Sequence, residues 1–194
     1  RHQFVSSIST ADIEALLTRK YADISEKTNA MYLDFSRFIM DRLGAEHVSE
    51  DVQSAVKFRE DMRKRLDQVN QNRANLMRPF DKLTELIAQV FKDKGITISQ
   101  NLTFGQTKAA IRARILSAGE KQMFSFLSYN AFAKDSVIFI DEPELSLHVD
   151  WQRILFKMML EQGSSNQFII TTHSPFIYSN YPEKELALVS DRGE

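Results

Sequence analysis

Residues 137–144 have the sequence VIFIDEPE, in which four consecutive apolar residues lead directly into two carboxylates. A short apolar run stopped by Pro143 is typical of a strand buried on both faces, as in a parallel sheet. Open sheets of this kind bind ligands at the carboxyl ends of their strands, where Asp141 and Glu142 would lie. The segment therefore predicts an α/β fold with an acidic site at one sheet edge. The simpler interpretation is a strand that ends in an acidic turn.

The sequence around this strand alternates between helical and extended patterns. Residues 96–115 alternate apolar with polar side chains and predict a β-hairpin. Asp150 is the expected N-cap of a later helix. The other expected elements are helices at residues 117–133 and 150–162, a strand at 167–171 and a short apolar segment at 186–189. Such alternation predicts a parallel sheet with helices on both faces.

The first half of the chain has a helical period instead. Apolar residues recur mostly three, four or seven positions apart over residues 10–43 and again over residues 50–78. Gly44 separates the two stripes, which suggests an antiparallel helical hairpin. Pro79 is expected to end the second helix or to begin the next one, over residues 79–94.

The composition excludes several classes of protein. There are 25 Lys and Arg against 26 Asp and Glu, and the net charge of -1 argues against a polybasic nucleic-acid binder. Any nucleic-acid site would have to be local. The absence of Cys excludes a disulfide scaffold, a thiolate metal site and a Cys nucleophile. No long apolar run or secretory signal is evident, so we expect a cytoplasmic protein without a membrane partner.

A second motif, LSAGEKQ, occupies residues 116–122. Ser117 followed three positions later by Glu120 is the pattern of a capping box at the start of a helix. Free N–H groups there, beside a Ser hydroxyl and a Gly119 that allows close approach, would suit a terminal phosphate. An ordinary capped helix is the alternative interpretation of this spacing when it stands alone.

A third motif, QFIITTHSPF, occupies residues 167–176 and places His173 just beyond the second predicted strand. If the two strands run parallel, His173 lies at the same sheet edge as Asp141 and Glu142. An imidazole at that edge could hydrogen-bond a γ-phosphate or orient a water molecule. A single His in a loop is otherwise structural or merely solvated.

These three motifs, in this order, resemble the C-terminal half of an ABC-type ATPase head with a P-loop NTPase-like fold. LSAGEKQ is similar to the signature motif, VIFIDE to the Walker B strand and ELSLH to the D-loop region. The form DEPELSLH is more similar to the RecF-like, SMC-like and overcoming-lysogenization-defect group than to membrane transporters. That group of DNA-associated ATPases includes anti-phage defence ATPases of the Septu and retron type. The resemblance covers residues 96–190, so we expect a helical insertion at 1–94 and half of a head at 95–194.

The resemblance implies a role for each motif. Asp141 would bind Mg²⁺, Glu142 would polarise the attacking water and His173 would sense the γ-phosphate of ATP. An ATP molecule held by an opposing head would be contacted by Ser117, Ala118, Gly119 and Glu120. ATP binding would then join two heads in a homodimer and hydrolysis would release them. This switch would serve repair or anti-phage defence, with DNA and a nuclease or toxin as further partners.

Two departures from the family pattern bear on these roles. Ala118 stands where the signature usually has Gly, and no G-x-x-x-x-G-K-S/T phosphate loop occurs anywhere in the chain. We expect that loop to lie on an N-terminal half that pairs with this chain, which alone should not bind ATP tightly. The alternative is a non-hydrolysing scaffold that keeps the head fold and recruits a nuclease or toxin. His148 falls in the D-loop region with no role assigned to it.

Overall fold

The computed structural model describes residues 10–45, 52–91 and 116–186. In chain order the elements are α1 (Thr10–Ala45), α2 (Val52–Val90), α3 (Ala118–Phe132), β1 (Val137–Asp141), a 3₁₀ turn (Pro143–Ser146), α4 (Val149–Glu161), β2 (Gln167–Thr171), α5 (Pro175–Tyr178) and a final 3₁₀ turn (Pro182–Lys184). The chain divides into two compact units, a helical unit Glu14–Asp81 and an α/β unit that combines Arg1–Ile13 with Lys82–Glu194. The β-hairpin expected at residues 96–115 lies outside the described residues, as does most of the apolar segment at 186–189.

The helical unit contains α1 and most of α2, and their contacts run in opposite directions along the chain. The rings of Tyr21 and Phe80 meet edge to face with centroids 5.9 Å apart. Further along α1, Phe38 lies 6.4 Å from Phe58 between ring centroids, and the guanidinium of Arg65 lies 3.9 Å from the centroid of Phe38. Because rising residue numbers in α1 meet falling numbers in α2, the two helices are antiparallel. Their place as an insertion in a larger head stays a prediction.

The helix boundary expected at Pro79 is wrong. α2 runs without interruption to Val90 with Pro79 inside it. Proline lacks the N–H that would bond to the carbonyl four residues earlier, which costs about 3 kcal/mol in a helix interior. The apolar residues that follow continue the same helical spacing and are buried, namely Phe80, Leu83, Leu86 and Ile87. Burial of that stripe favours continuation of the helix and offsets the local cost. None of the helices within the described ranges is long and apolar enough to cross a membrane.

The two strands pair in parallel, as the sequence predicts. Val137 pairs with Gln167 and Asp141 pairs with Thr171, so both strands end side by side. The connection between them includes α4, which packs on the sheet through the rings of Phe156 and Phe168, 6.5 Å apart between centroids. The carboxyl ends of β1 and β2 therefore form one shared edge.

The expectation of burial on both sheet faces is wrong for the described part of the chain. Ile140 is 5% exposed, whereas Val137, Phe139 and Ile169 are 50%, 73% and 43% exposed. Side chains alternate between the two faces of a strand, and α4 packs on the face that carries Phe168 and Ile140. Among the described residues, no second helix layer covers the opposite face, which leaves its apolar side chains in solvent.

The N-cap expected at Asp150 is also wrong. α4 begins at Val149, and its N-cap is His148, whose Nδ1 accepts a hydrogen bond from the Asp150 backbone N–H at 3.4 Å. Asp150 lies in the first turn instead, where a carboxylate interacts favourably with the helix dipole. His148, which had no assigned role, thus caps α4 in this structure.

The opposite end of the sheet is tied together by Asn130, which is fully buried near the end of α3. Its side-chain amide donates to the carbonyl of Met159 at 2.7 Å, and its Oδ1 accepts from Ser164 Oγ at 2.8 Å and from Asn166 Nδ2 at 3.0 Å. A buried amide that is fully hydrogen-bonded rigidifies its surroundings. This cluster fixes α3 against the segment that leads into β2.

Candidate functional site

The polar residues that end the two strands lie next to each other at the carboxyl edge of the sheet. Asp141 is the register partner of Thr171, and the Thr171 hydroxyl donates a hydrogen bond to Asp141 Oδ1. One residue further, the Glu142 backbone N–H donates to the Thr171 carbonyl at 2.9 Å. The ladder therefore extends to the first residue after β1, which fixes where Glu142 begins.

Glu142 has an unusual backbone conformation. Its φ of 43° and ψ of 58° lie in the left-handed region, which non-glycine residues rarely adopt. Such a residue costs of order 1–3 kcal/mol and persists only where its surroundings impose it. Here the conformation turns the chain sharply out of β1 into the 3₁₀ turn. The Glu142 side chain is left 40% exposed at the sheet edge.

His173 follows β2 by two residues and lies at the same edge. Its Nε2 is 3.7 Å from Glu142 Oε1, and its side chain is 91% exposed. That distance exceeds an ordinary hydrogen bond, so the attraction is electrostatic and requires a protonated imidazole. The juxtaposition of Asp141, Glu142 and His173 that the parallel arrangement predicts is present in the structure, while their chemical roles stay predictions.

Glu144 was not singled out by the sequence analysis, although its carboxylate accepts two hydrogen bonds at this edge. Its Oε2 accepts from the Thr172 hydroxyl at 2.8 Å and its Oε1 accepts from the His173 backbone N–H at 2.7 Å. Burial opposes ionisation of Glu144, but these and further backbone hydrogen bonds outweigh it and lower the pKa of the carboxyl. Two sequence features could have pointed to this contact. Hydroxyl residues flank His173, and an acidic turn follows the neighbouring strand.

Gln152 of α4 supports the same loop from a second direction. Its Oε1 accepts from Ser174 Oγ at 2.6 Å, and its Nε2 donates to the Leu147 carbonyl at 2.9 Å. Because α4 packs on the sheet, these bonds anchor residues 172–174 to a rigid element. The loop that carries His173 is therefore held by both Glu144 and Gln152.

The capping box predicted in LSAGEKQ is confirmed. Ser117 is the N-cap of α3, and its hydroxyl accepts from the Glu120 N–H at 3.3 Å while Glu120 Oε2 accepts from the Ser117 N–H at 2.7 Å. Ser117 and Ala118 are exposed, whereas Gly119 and Glu120 are buried. Of these four residues, Ser117 and Ala118 are thus the ones accessible from solvent.

The close approach expected at Gly119 is made by protein backbone in this structure. A Cβ at Gly119 would lie 2.2 Å from the Ser146 carbonyl oxygen, far inside contact distance. Gln122 adds a hydrogen bond from its Nε2 to the Pro143 carbonyl at 3.3 Å. The start of α3 is therefore packed directly against the 3₁₀ turn that follows Glu142.

Because of this contact, we expect Gly119→Ala to destabilise the α/β unit by about 1–3 kcal/mol, the usual cost of overpacking. Urea or thermal denaturation of the 194-residue chain measures the effect. Gly44→Ala is the matched control, since a Cβ at Gly44 meets nothing within 4 Å and alanine is the better helix former. Equal stability of Gly119→Ala and the unmodified chain would show that the 3₁₀ turn can move away from α3.

The sequence as a whole matches a known family. The model of the AAA ATPase domain matches residues 4–178, most of the chain. The chain belongs to the AAA ATPase domain family. This membership confirms the recognition of an ATPase domain with a P-loop NTPase fold, and the structure shows a small parallel sheet in it.

Two curated relatives are similar to part of this chain. Endonuclease GajA of Bacillus cereus (strain VD045) is 40% identical over 63 residues, which cover 29% of this chain and 11% of the relative. The Retron Vc95 probable ATPase of Vibrio cholerae serotype O1 biovar El Tor is 25% identical over 89 residues, or 39% of this chain and 17% of the relative. The matched part is therefore a small fraction of each relative's length. The similarity to a retron ATPase agrees with the group recognised from DEPELSLH.

The donor atoms at the carboxyl edge of the sheet suit a metal ion that binds together with a phosphate ligand. Within the described residues, no group of three or more His, Asp and Glu side chains is placed to hold a metal ion by itself. Mg²⁺ usually binds one or two carboxylates and completes its coordination with water and substrate phosphates. The carboxylate of Asp141 at the end of β1 fits that pattern.

Proposed function

We propose that this chain supplies the C-terminal half of an ABC-type head that binds and hydrolyses ATP. The observation that carries the proposal is the meeting of Asp141, Glu142 and His173 at the carboxyl edge of two parallel strands. Membership of the AAA ATPase domain family supports nucleotide chemistry at that edge. The similarity of the motifs to an ABC-type head gives the more specific arrangement.

In this proposal each residue at the edge has one task. Asp141 holds Mg²⁺, which when bound neutralises charge on the phosphate oxygens. Glu142 accepts a hydrogen bond from the attacking water and polarises it toward the γ-phosphate. His173, on the adjacent loop, donates a hydrogen bond to a γ-phosphate oxygen. The exposed side chains of Glu142 and His173 can reach a ligand without any movement of the strands.

The signature motif acts on a second nucleotide in this proposal. Exposed Ser117 and Ala118 lie at the positive end of α3, where first-turn N–H groups favour a phosphate. They close over ATP held by the phosphate loop of an opposing head, which makes the active species a homodimer. ATP binding stabilises the dimer and hydrolysis opens it, so the chemistry serves as a conformational switch.

We infer a biological setting from the same resemblance. One relative is named an endonuclease and the other a retron ATPase, which supports a place in anti-phage defence. DNA and a nuclease or toxin are the partners that this setting suggests. The phosphate loop is supplied by an N-terminal half outside these 194 residues, because the chain contains no such motif.

The placement of the phosphate loop outside these 194 residues can be tested directly. We expect the purified 194-residue chain to show no ATPase activity and, at best, millimolar affinity for ATP, because it has no loop to cradle the phosphates. A protein that includes both this chain and the phosphate loop should hydrolyse Mg-ATP. Phosphate release and equilibrium ATP binding, measured on both, check the expectation. Robust turnover by the 194-residue chain would contradict the proposed arrangement.

A further inference from the structure

His173 has little support for its own ring. The side chain is 91% exposed, and within the described ranges its one polar contact is Glu142 Oε1 at 3.7 Å. By contrast, the His173 backbone N–H donates to Glu144 Oε1 at 2.7 Å. The place of the imidazole is therefore set through the backbone of its loop rather than through the ring.

The hydrogen bonds that Glu144 accepts hold the loop on both sides of the His173 backbone N–H. One carboxylate oxygen accepts from the Thr172 hydroxyl at 2.8 Å and the other accepts from the His173 N–H. The Thr172 hydroxyl oxygen in turn accepts from the Ser174 N–H at 3.0 Å. The carboxylate thus binds Thr172 and His173 directly, one with each oxygen, and Ser174 is linked to it through the Thr172 hydroxyl.

Glu144 lies in the 3₁₀ turn, two residues after Glu142, and that turn is itself fixed. Gln122 donates to the Pro143 carbonyl, and the close contact of Gly119 with Ser146 leaves no room for the turn to shift toward α3. Because this rigid turn begins directly after Glu142 and contains Glu144, it fixes the positions of the two glutamates relative to each other. The lowered pKa of Glu144 agrees with an ionised acceptor, which makes hydrogen bonds roughly twice as strong as a neutral one.

We propose that Glu144 is a positioning residue that holds the His173 loop so that the imidazole stays beside Glu142. The inference rests on the proposed ATPase function and deepens it. Glu144 is directed at the loop and takes no part in the chemical step. Loss of Glu144 would slow turnover by displacing His173. Loss of a residue that only stabilised the fold would lower the melting temperature without changing kcat more than KM.

The test uses the natural protein that contains this chain together with its phosphate loop. We expect Glu144→Ala to lower kcat about 10- to 100-fold, because a displacement of about 1 Å in a catalytic group can cost that much. KM for ATP should change much less than kcat, since Glu144 contacts no nucleotide in this scheme and His173 supplies only one of the contacts to it. Glu144→Gln keeps one acceptor oxygen and should lose less activity than Glu144→Ala.

Two substitutions at Thr172 form a matched pair that leaves the Glu144 carboxylate in place. Thr172→Ser keeps the hydroxyl and should retain the wild-type kcat, whereas Thr172→Val keeps the shape, removes the donor and should lower kcat. Melting temperatures of all variants check that the fold is retained. Should Glu144→Ala fail to fold, the Thr172 pair still decides the question.

Coupling to His173 gives the decisive comparison. If Glu144 acts through His173, adding Glu144→Ala to a His173→Ala protein should slow turnover no further. A further slowing by the full factor of the single variant would overturn the inference, as would a wild-type kcat in Glu144→Ala. Both of those results leave the proposed function standing, because they require an active wild-type protein. A wild-type protein without ATPase activity would overturn the proposed function, and the positioning role with it.

Discussion

Replacing Glu142 with Gln in the natural protein is expected to lower the rate of ATP hydrolysis by about two to four orders of magnitude. The amide preserves size and hydrogen bonding but has no negative charge to polarise the attacking water. The Glu142 side chain is partly exposed and faces His173 rather than the core. The folding stability should therefore change little, and a phosphate-release assay measures the catalytic effect alone.

The same variant should trap the proposed dimer. Mg-ATP binding remains because Asp141 still supplies its carboxylate, and blocked hydrolysis removes the step that opens the dimer. Asp141→Asn is the matched control at the neighbouring position. Its amide oxygen can still accept the hydrogen bond from Thr171, so the strand pairing is kept while the charge that holds Mg²⁺ is lost. Size-exclusion chromatography with ATP should show dimer for Glu142→Gln and monomer for Asp141→Asn.

The possible contrary results separate the parts of the proposal. Hydrolysis at the wild-type rate in Glu142→Gln would mean that the assignment of the catalytic base is wrong. An inactive Glu142→Gln protein that binds ATP but stays monomeric would mean that the dimer switch is wrong. That second result would favour the scaffold alternative, in which the head fold recruits a nuclease or toxin.

Local patterns predicted the elements that position the site. The apolar run before Asp141 predicted β1, the Ser117 and Glu120 spacing predicted the capping box, and the strand order predicted parallel pairing. The strand and the capping box depend on residues close together in sequence, where backbone sterics and capping chemistry dominate, and the pairing follows from the alternation of strands with a helix. The sheet-edge placement of His173 then followed from the pairing alone.

The features that the sequence did not predict depend on tertiary contacts. Pro79 reads as a helix boundary, yet burial of the apolar stripe after it continues α2 to Val90. A side chain is excluded at Gly119 by the Ser146 carbonyl, which belongs to a distant part of the sequence. Glu144 was missed because its partners, Thr172 and His173, follow a different strand. No local pattern encodes a contact of that kind.

Ser117→Arg is expected to abolish ATP-dependent dimerisation of the natural protein while each head still binds ATP. Ser117 is exposed at the start of α3, where the proposed dimer closes over a nucleotide. An arginine there puts a bulky side chain where the proposed interface has room only for a serine hydroxyl, and overpacking of this kind costs about 1–3 kcal/mol or more. Since each 1.4 kcal/mol is a factor of ten, the dimer should weaken by about one to two orders of magnitude or more. Sedimentation or size exclusion with ATP measures dimerisation, and equilibrium titration measures nucleotide binding.

The capping box makes a second substitution necessary. The Ser117 hydroxyl also accepts a hydrogen bond from the Glu120 N–H, so replacement by Arg loses the cap and about 1 kcal/mol of helix stability. Ser117→Ala loses the cap without adding bulk or charge, and it should lower the melting temperature while still permitting dimers. Loss of dimerisation in both variants would assign the effect to the missing hydroxyl, as a cap or as a nucleotide contact, rather than to the bulk of the arginine. Unchanged dimerisation in Ser117→Arg would show that LSAGEKQ is only the start of a capped helix, since a buried contact surface could not accept that side chain.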